Sequence, residues 1–317
     1  MTLQDWIDES KERIDEHGLL NGGQGSAKAF WEGALCRVGH RWNYGTHIFE
    51  HDWDVLLVLD TCRPDVLEDV AHEYEYVPRD VPSETSIGSA SIEWVKKNFT
   101  NDDYAEELSE TAYVTSNLFS EHIDPDDLYL LDEVWRYGWN DDDCTTPPEV
   151  VADRAIDVMR EHDPERMVVH LMQPHAPYRS MLEEFPEWRV QPGPGEDDPS
   201  HPAREMWEDL RHGVISRQEI WQAYRDNLRW VLDDGVDLML NNMDADDVVI
   251  TADHGESFGE WGVYAHPPYC PVPVLKNVPW VHTSATDSGE YTPDIEPDET
   301  ALAEDEVEDR LEALGYK

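Results

Sequence analysis

Apolar runs bounded by turn formers mark the strands of this chain. Val55–Leu59 is uninterrupted, and Arg166–Leu171 and Asp247–Thr251 carry continuous apolar centres, the pattern of strands buried on both faces. Ala112–Thr115 predicts a further strand, and Pro271–Val281 one or two more short ones. Between these runs the apolar positions recur at helical spacing. Pro148–His162 reads as an amphipathic helix. Arg217–Asn242 reads as a long one, with Ile220, Tyr224, Leu228, Val231 and Leu232 on its apolar side. Shorter helices are predicted over Pro64–Tyr74 and Ser91–Asn98. Leu3–His17 and Ala27–Val38 read as helices separated by a glycine-rich break. Gln191–Pro202, with four prolines, reads as a loop. Thr283–Thr300 is acidic and proline-containing, which predicts poor order, and Ala301–Leu314 predicts a last helix stopped by Gly315. Strands alternating with helices predict an α/β fold, a mostly parallel central sheet with helices on both faces. The divisions are an N-terminal helical extension over 1–50, a main domain over 51–282, and an acidic tail with a terminal helix over 283–317.

In such sheets ligands sit beyond the carboxyl ends of the strands, so those ends are read next. Asp60 closes the first strand, in Asp60-Thr61-Cys62-Arg63-Pro64-Asp65. A carboxylate at a buried strand tip is costly unless paired or metal-bound, and equally it could cap the following helix. After Arg166–Leu171 comes Gln173-Pro174-His175-Ala176-Pro177-Tyr178, where two prolines stiffen the loop around His175. His170, inside that strand, reads as a buried strand residue. After Asp247–Thr251 comes Ala252-Asp253-His254-Gly255-Glu256, with His266 farther on. Adjacent Asp and His at a strand end can face one ion, and carboxylate oxygen with imidazole nitrogen suits Zn²⁺ or Mn²⁺ better than Ca²⁺.

Two familiar patterns are decoys. Gly255-Glu256-Ser257-Phe258-Gly259 matches the nucleophile elbow of serine hydrolases, but Gly259, Gly262, Pro267 and Pro268 stand where the elbow needs a helix. A serine hydrolase using Ser257 is therefore a minor alternative. His72-Glu73 opens an HExxH pattern that Tyr76 breaks.

Composition changes the picture in one respect. Lys+Arg is 23 and Asp+Glu is 71, a formal charge of −48. Such a field repels phosphate backbones and anionic lipid heads, so nucleic acid and membrane surfaces are excluded as partners. No apolar run is long enough to span a bilayer, and Met1–Ile14 has no secretory-leader pattern. The acid is spread along the chain, which points to a solvent of high salt rather than to one acidic docking segment. Cys36, Cys62, Cys144 and Cys270 form no CxxC pair, and few cysteines in a chain of 317 residues read as free thiols in a cytoplasm.

Val55–Asp65, Pro174-His175-Ala176-Pro177-Tyr178 and Ile250-Thr251-Ala252-Asp253-His254-Gly255-Glu256 with His266 resemble the sulfatase-like branch of the alkaline phosphatase superfamily, in its order and spacing. The resemblance spans roughly residues 45–281, and the closing Leu311–Tyr316 is similar to sulfatase-like proteins of haloarchaea. It implies a catalytic domain over 51–282 that hydrolyses or transfers phosphate or sulfate esters with one or two divalent ions, Zn²⁺ or Mn²⁺ before Ca²⁺ or Mg²⁺. Asp60, Asp253 and His254 would hold the ion. His175 and His266 would contact the anionic group or leaving oxygen of a small ester substrate, with Arg63 as a further cation. A position like that of His266 binds a second ion in two-metal relatives. Cys62 lacks the C/S-x-P-x-R context of a sulfatase nucleophile, which turns the reading toward an unmodified Ser or Thr. The resemblance places that nucleophile in Ser83–Trp94, with Ser86 first, Ser89 second and Thr85 third. The other function class is a catalytically inactive metal-binding module of the same fold.

The charge generates the first prediction. Melting temperature should rise steeply with KCl, because salt screens repulsion among 71 acids facing 23 bases. Equal thermal stability in dilute buffer and in concentrated KCl would contradict this reading.

Overall fold

The computed structural model describes residues 30–185, 188 and 202–295. In chain order the elements are α1 (30–41), β1 (Val55–Leu59), α2 (Pro64–Val70), β2 (Ser83–Thr85), α3 (Ser91–Phe99), α4 (Ala105–Ser109), β3 (Thr111–Thr115), β4 (Leu130–Glu133) and α5 (Pro148–His162). There follow β5 (Arg166–Leu171), α6 (Pro202–His212), α7 (Arg217–Val231), α8 (Asp237–Leu240), β6 (Ala245–Thr251), β7 (Ser257–Phe258), β8 (Tyr264–Ala265), α9 (Pro273–Lys276) and β9 (Asn277–Ala285). Seven strands form one sheet in the order β2-β9-β6-β1-β5-β3-β4. Its centre is parallel, while β9 runs antiparallel to β6, and β2 antiparallel to β9. The fold is the expected α/β sheet with helices on both faces.

Strand alternation builds the two layers. Val55, Leu57 and Leu59 enter the core shared with α2, α5 and α7, whereas Leu56 and Val58 enter the core shared with α3. Both sets are fully buried, which is why β1 reads as a continuous apolar run. Helix α7 starts at a capping box, the Ser216 hydroxyl accepting from the Glu219 N–H while the Glu219 carboxylate accepts from Ser216.

The differences from the sequence reading have local causes. The single helix expected over Arg217–Asn242 is interrupted by a π turn, Leu232–Val236. Gly235 sits in that turn where a Cβ would lie 3.0 Å from Leu171 Cδ2 and 3.2 Å from Pro148 Cβ, so the turn passes tightly beside the end of β5. Pro271–Val281 holds one short helix, α9, and one long strand, β9. Because β9 continues to Ala285, the boundary expected after residue 282 falls inside a strand. The expected poor order of the following segment does not hold through residue 295. Asp287 pairs with Arg160 at 2.7 Å, and the Tyr291 hydroxyl donates to Asp153 Oδ1 at 2.7 Å, docking the segment on α5. The edge strand β4 is partly buried and ends in two acids, so no apolar run marked it. The helices expected over Leu3–His17 and Ala301–Leu314, and all but the end of the loop Gln191–Pro202, lie outside the described residues. Helix α1, within the described part of the N-terminal extension, packs on the loop after β8: a Cβ at Gly39 would meet Tyr269 O, and His40 stands edge-on to the Tyr269 ring at 4.7 Å. No helix among the described residues is long and apolar enough to cross a membrane.

The approach to α3 is as tight. A Cβ at Gly88 would lie 2.7 Å from Trp94 Cβ and 2.8 Å from Trp94 N. Gly88→Ala should therefore destabilise the protein by about 1–3 kcal/mol through overpacking. Denaturant unfolding in high salt checks this, and an unchanged midpoint would show that the loop has room to yield.

Candidate active site

Parity decides which side chains meet at the sheet's carboxyl end. Thr115, His170, Val58 and Thr251 pair across β3, β5, β1 and β6. Two residues on, the same face carries Asn117, Met172, Asp60 and Asp253, on the side covered by α3. Asp60, Asp253 and His254 are fully buried, and one ligand atom from each lies within 4.8 Å of the others. His254 Nε2 is 3.3 Å from Asp253 Oδ2 and 3.8 Å from Asp60 Oδ1.

The carboxylates are held from behind. Asp253 Oδ1 accepts the N–H groups of Thr61 (3.1 Å) and His254 (2.8 Å), while Asp253 Oδ2 has no hydrogen-bond partner among the described residues. Asp60 Oδ2 accepts from Asn117 Nδ2 at 3.0 Å. Thr61 turns the chain at φ 66°, a strained conformation for a β-branched residue, and the Tyr224 hydroxyl of α7 donates to its carbonyl at 2.6 Å. Burial first, then the Asp60 carboxylate, pushes Asp253 up to about 7, and burial likewise raises Asp60. Two desolvated carboxylates, one with an inward oxygen that accepts no hydrogen bond, and an imidazole are a donor set that a Zn²⁺- or Mn²⁺-like ion would complete.

A second cluster adjoins the first. His175, Glu256 and His266 also present ligand-type atoms within 4.8 Å of one another. His266 Nδ1 lies 3.1 Å from Glu256 Oε2, and the His266 ring is 4.6 Å from His254 and 5.0 Å from His175, centroid to centroid. Burial opposes charge on His266, but Glu256 and then Asp60 and Asp253 outweigh it and raise its pKa. Burial lowers His175 to about 4. The His175 loop is clamped by Asn227 of α7, whose Nδ2 donates to the carbonyls of His175 (3.1 Å) and Pro177 (3.0 Å).

The hydroxyl at the centre is Ser91, not one of the three expected. Ser91 Oγ donates to Asp60 Oδ2 at 3.0 Å and lies 3.1 Å from His254 Nε2. Ser91 is the first residue of α3. Ser86 Oγ instead donates to the backbone carbonyl of Asp253 and accepts from Gly88 N at 3.1 Å. Ser89 Oγ lies within hydrogen-bond reach of Glu93 Oε2 (3.0 Å) and Pro267 O (3.1 Å) and accepts from Cys270 N (2.9 Å), tying α3 to the loop of His266. Thr85 lies in β2, paired with Asn277. The signal for Ser91 was the predicted helix start itself, since the first residue of a helix that runs back from the strand tips faces those tips.

Arg63 is also placed differently from the expectation. Its guanidinium binds Asp65 (2.9 and 2.6 Å), Glu260 Oε1 (2.9 Å) and the Glu256 carbonyl (2.9 Å), under Trp221. It is a buried staple rather than an open anion receptor. Ser257 Oγ donates to the Val263 carbonyl at 3.0 Å within the β7–β8 hairpin, so the elbow geometry is absent. Cys62 is fully buried, and burial raises its thiol far above the ordinary range, which leaves it inert. Glu256, Asn117 and His170 were not assigned site roles from the sequence. Their approach to Asp60, Asp253 or His266 depends on pairings across the sheet or between loops.

No protein-family model matches the chain, and no curated protein matches it. Among solved structures it is similar to the soluble domain of lipooligosaccharide phosphoethanolamine transferase A from Neisseria meningitidis, at 16% identity and TM-score 0.45 over 74% of this chain and 78% of that one. It is similar to the integral membrane form of that transferase at 14% identity and TM-score 0.48, covering 91% of this chain but only 60% of the longer protein. The C-terminal periplasmic domain of phosphoethanolamine transferase EptC from Campylobacter jejuni is similar at 18% identity and TM-score 0.43, over 74% and 80% of the two chains. The chemistry of this site follows from its own donor atoms.

Asp253 gives a pH prediction for the metal-free protein. Its folded pKa of about 7 exceeds the ordinary 3.8, so its contribution to stability is complete below the lower value and is lost as pH rises through about 7. A bound cation needs the ionised carboxylate and offsets that loss. Chelator should therefore lower the melting temperature more at about pH 8 than at about pH 5. Melting curves with parallel pH dependence in chelator and in excess Zn²⁺ would sink the idea.

Proposed function

We propose that this chain cleaves or transfers phosphate esters by displacement at phosphorus, with Ser91 as nucleophile and Asp60, Asp253 and His254 as the residues that would hold a divalent ion. The observation that carries this reading is a buried serine hydroxyl on the first residue of a helix, 3.0 Å from Asp60 Oδ2 and 3.1 Å from His254 Nε2. An ion held there supplies Lewis acidity, lowering the pKa of the hydroxyl and drawing charge from the transferring oxygens.

The chain does the rest. Asp60 accepts the Ser91 hydrogen bond and is placed to take the proton as the Oγ–phosphorus bond forms. The first turn of α3 adds backbone donors and the positive end of its dipole to the transferring oxygens. His266, gripped through Nδ1 by Glu256 and raised in pKa, gives its proton to the leaving oxygen as the phosphorus–oxygen bond breaks. Neutral His175 orients the ester beside it. Water then releases the phosphoserine in a hydrolase, or an acceptor alcohol takes the group in a transferase, and either restores Ser91. Phosphate is favoured over sulfate as the transferred group because the unmodified serine is the hydroxyl at the centre. In a two-ion form His175, Glu256 and His266 are the set that would hold the second ion, and that ion, rather than a His266 proton, would then offset the charge on the leaving oxygen. The acid-rich composition fits a high-salt cytoplasm as the solvent of this chemistry.

Turnover of a nitrophenyl phosphodiester, phosphomonoester and sulfate ester in high KCl, with Zn²⁺ or Mn²⁺ and with chelator, tests the proposal. Metal-dependent release from a phosphate ester is expected. Ser91→Ala should lower kcat by at least roughly 10³-fold, whereas Ser86→Ala keeps most of it. No turnover of any ester by the metal-loaded protein would favour the inactive binding module, and a fully active Ser91→Ala variant would remove Ser91 from the mechanism.

A further inference from the structure

We propose that His170 is a positioning residue of the Asp60–Asp253–His254 centre, fixing from beneath the separation at which the two carboxylates grip an ion. This rests on the metal reading above. On β5, His170 pairs with Val58 of β1 and Thr115 of β3, on the α3 side of the sheet. It therefore stands one row deeper than Asp60 and Asp253, with the site above it. Its side chain is fully buried, and Nε2 lies 3.7 Å from both Asp60 Oδ2 and Asp253 Oδ2. That nitrogen has no hydrogen-bond partner among the described residues.

The ring is locked from the other side. Nδ1 lies 2.9 Å from the Tyr113 hydroxyl, the Trp94 ring stands edge-on at 5.3 Å, and Tyr113 is itself stacked on Phe99 at 4.4 Å. With the Tyr113 hydroxyl donating to Nδ1, the imidazole proton sits on Nε2, aimed between the two carboxylates. At 3.7 Å this is an electrostatic contact rather than a hydrogen bond. A neutral N–H edge attracts both oxygens to one fixed point and so sets how far apart they stand, without cancelling the charge an ion needs. A residue present only to fill the core at this position would be apolar, because an unpaired buried imidazole nitrogen costs stability. Groups that support metal-binding carboxylates from behind commonly change affinity 10–100-fold when removed.

The test measures zinc affinity by competition with a chromophoric chelator, and melting temperature in excess chelator, for the full chain in high KCl. His170→Phe should weaken zinc binding by about 10–100-fold while the chelated protein melts no lower than the wild type. His170→Gln, which keeps an N–H donor, should recover part of the affinity, and Tyr113→Phe should lose a smaller part. Should His170→Phe not fold, the same affinities of His170→Gln and Tyr113→Phe decide the matter. Variants that bind zinc as tightly as the wild type, whatever their melting temperatures, would overturn the role of His170 alone. A wild-type chain that takes up no zinc would overturn the metal reading and this inference with it.

Discussion

Two carboxylates, Asp60 and Asp253, stand side by side at the ends of adjacent strands with no exposure to water. Burying such a pair is among the least favourable things a fold can do, and the surrounding structure is organised to make it tolerable. Backbone N–H groups, Asn117, Ser91 and the strained turn at Thr61 take up part of the oxygen valence. What they leave unmatched, the inward Asp253 Oδ2, is the opening for a cation. The same desolvation that makes the pair costly would make it grip an ion tightly and strengthen every charge it holds near a reacting group.

The layers around the sheet divide the work. On one face α3 brings a hydroxyl and a helix N-terminus to the pair, and the tight passage at Gly88 sets where that helix begins. From the other face α7 reaches over the strand ends with Tyr224 and Asn227, one holding the Thr61 turn and the other the His175 loop. Serines that might have served chemistry became ties instead. Ser86 joins the α3 approach to the Asp253 backbone, and Ser89 joins it to the His266 loop, so the hydroxyl-rich segment is a clasp around Ser91, the serine that faces the strand tips.

Electrostatics works at two ranges. The −48 of the whole chain opposes the arrival of any anion. Close to the centre the balance is local: His266 is raised toward its charged form by Glu256, His254 is kept neutral by burial and by His266, and Arg63 is spent on Asp65 and Glu260. An anionic substrate would find its cations in a bound metal and in His266 rather than in surface bases.

The central strands β1, β3, β5 and β6, their mostly parallel order and the strand-end positions of Asp60, Asp253 and His254 were legible along the chain, because a buried parallel strand writes itself as an apolar run and its tip as the first polar residue after it. Local periodicity also showed α5 and the start of α3. The helix start was the one mark in the sequence that sets Ser91 apart from Ser86, since all the hydroxyls of that segment are chemically alike and only the direction of the helix start tells which one faces the tips. His170 was concealed: inside β5 it looks like a strand residue, and it becomes part of the site only because register sets it beneath Asp60 and Asp253. Arg63 reads in sequence as a candidate anion receptor, because nothing near it in the chain marks Glu260, nearly 200 residues away, as the acid on its guanidinium. Sequence determined which chemical groups exist and which element carries each. Tertiary structure decided which of them share a few ångströms, because strand register, face parity and loop packing are properties of pairs of segments and are not written in either segment alone.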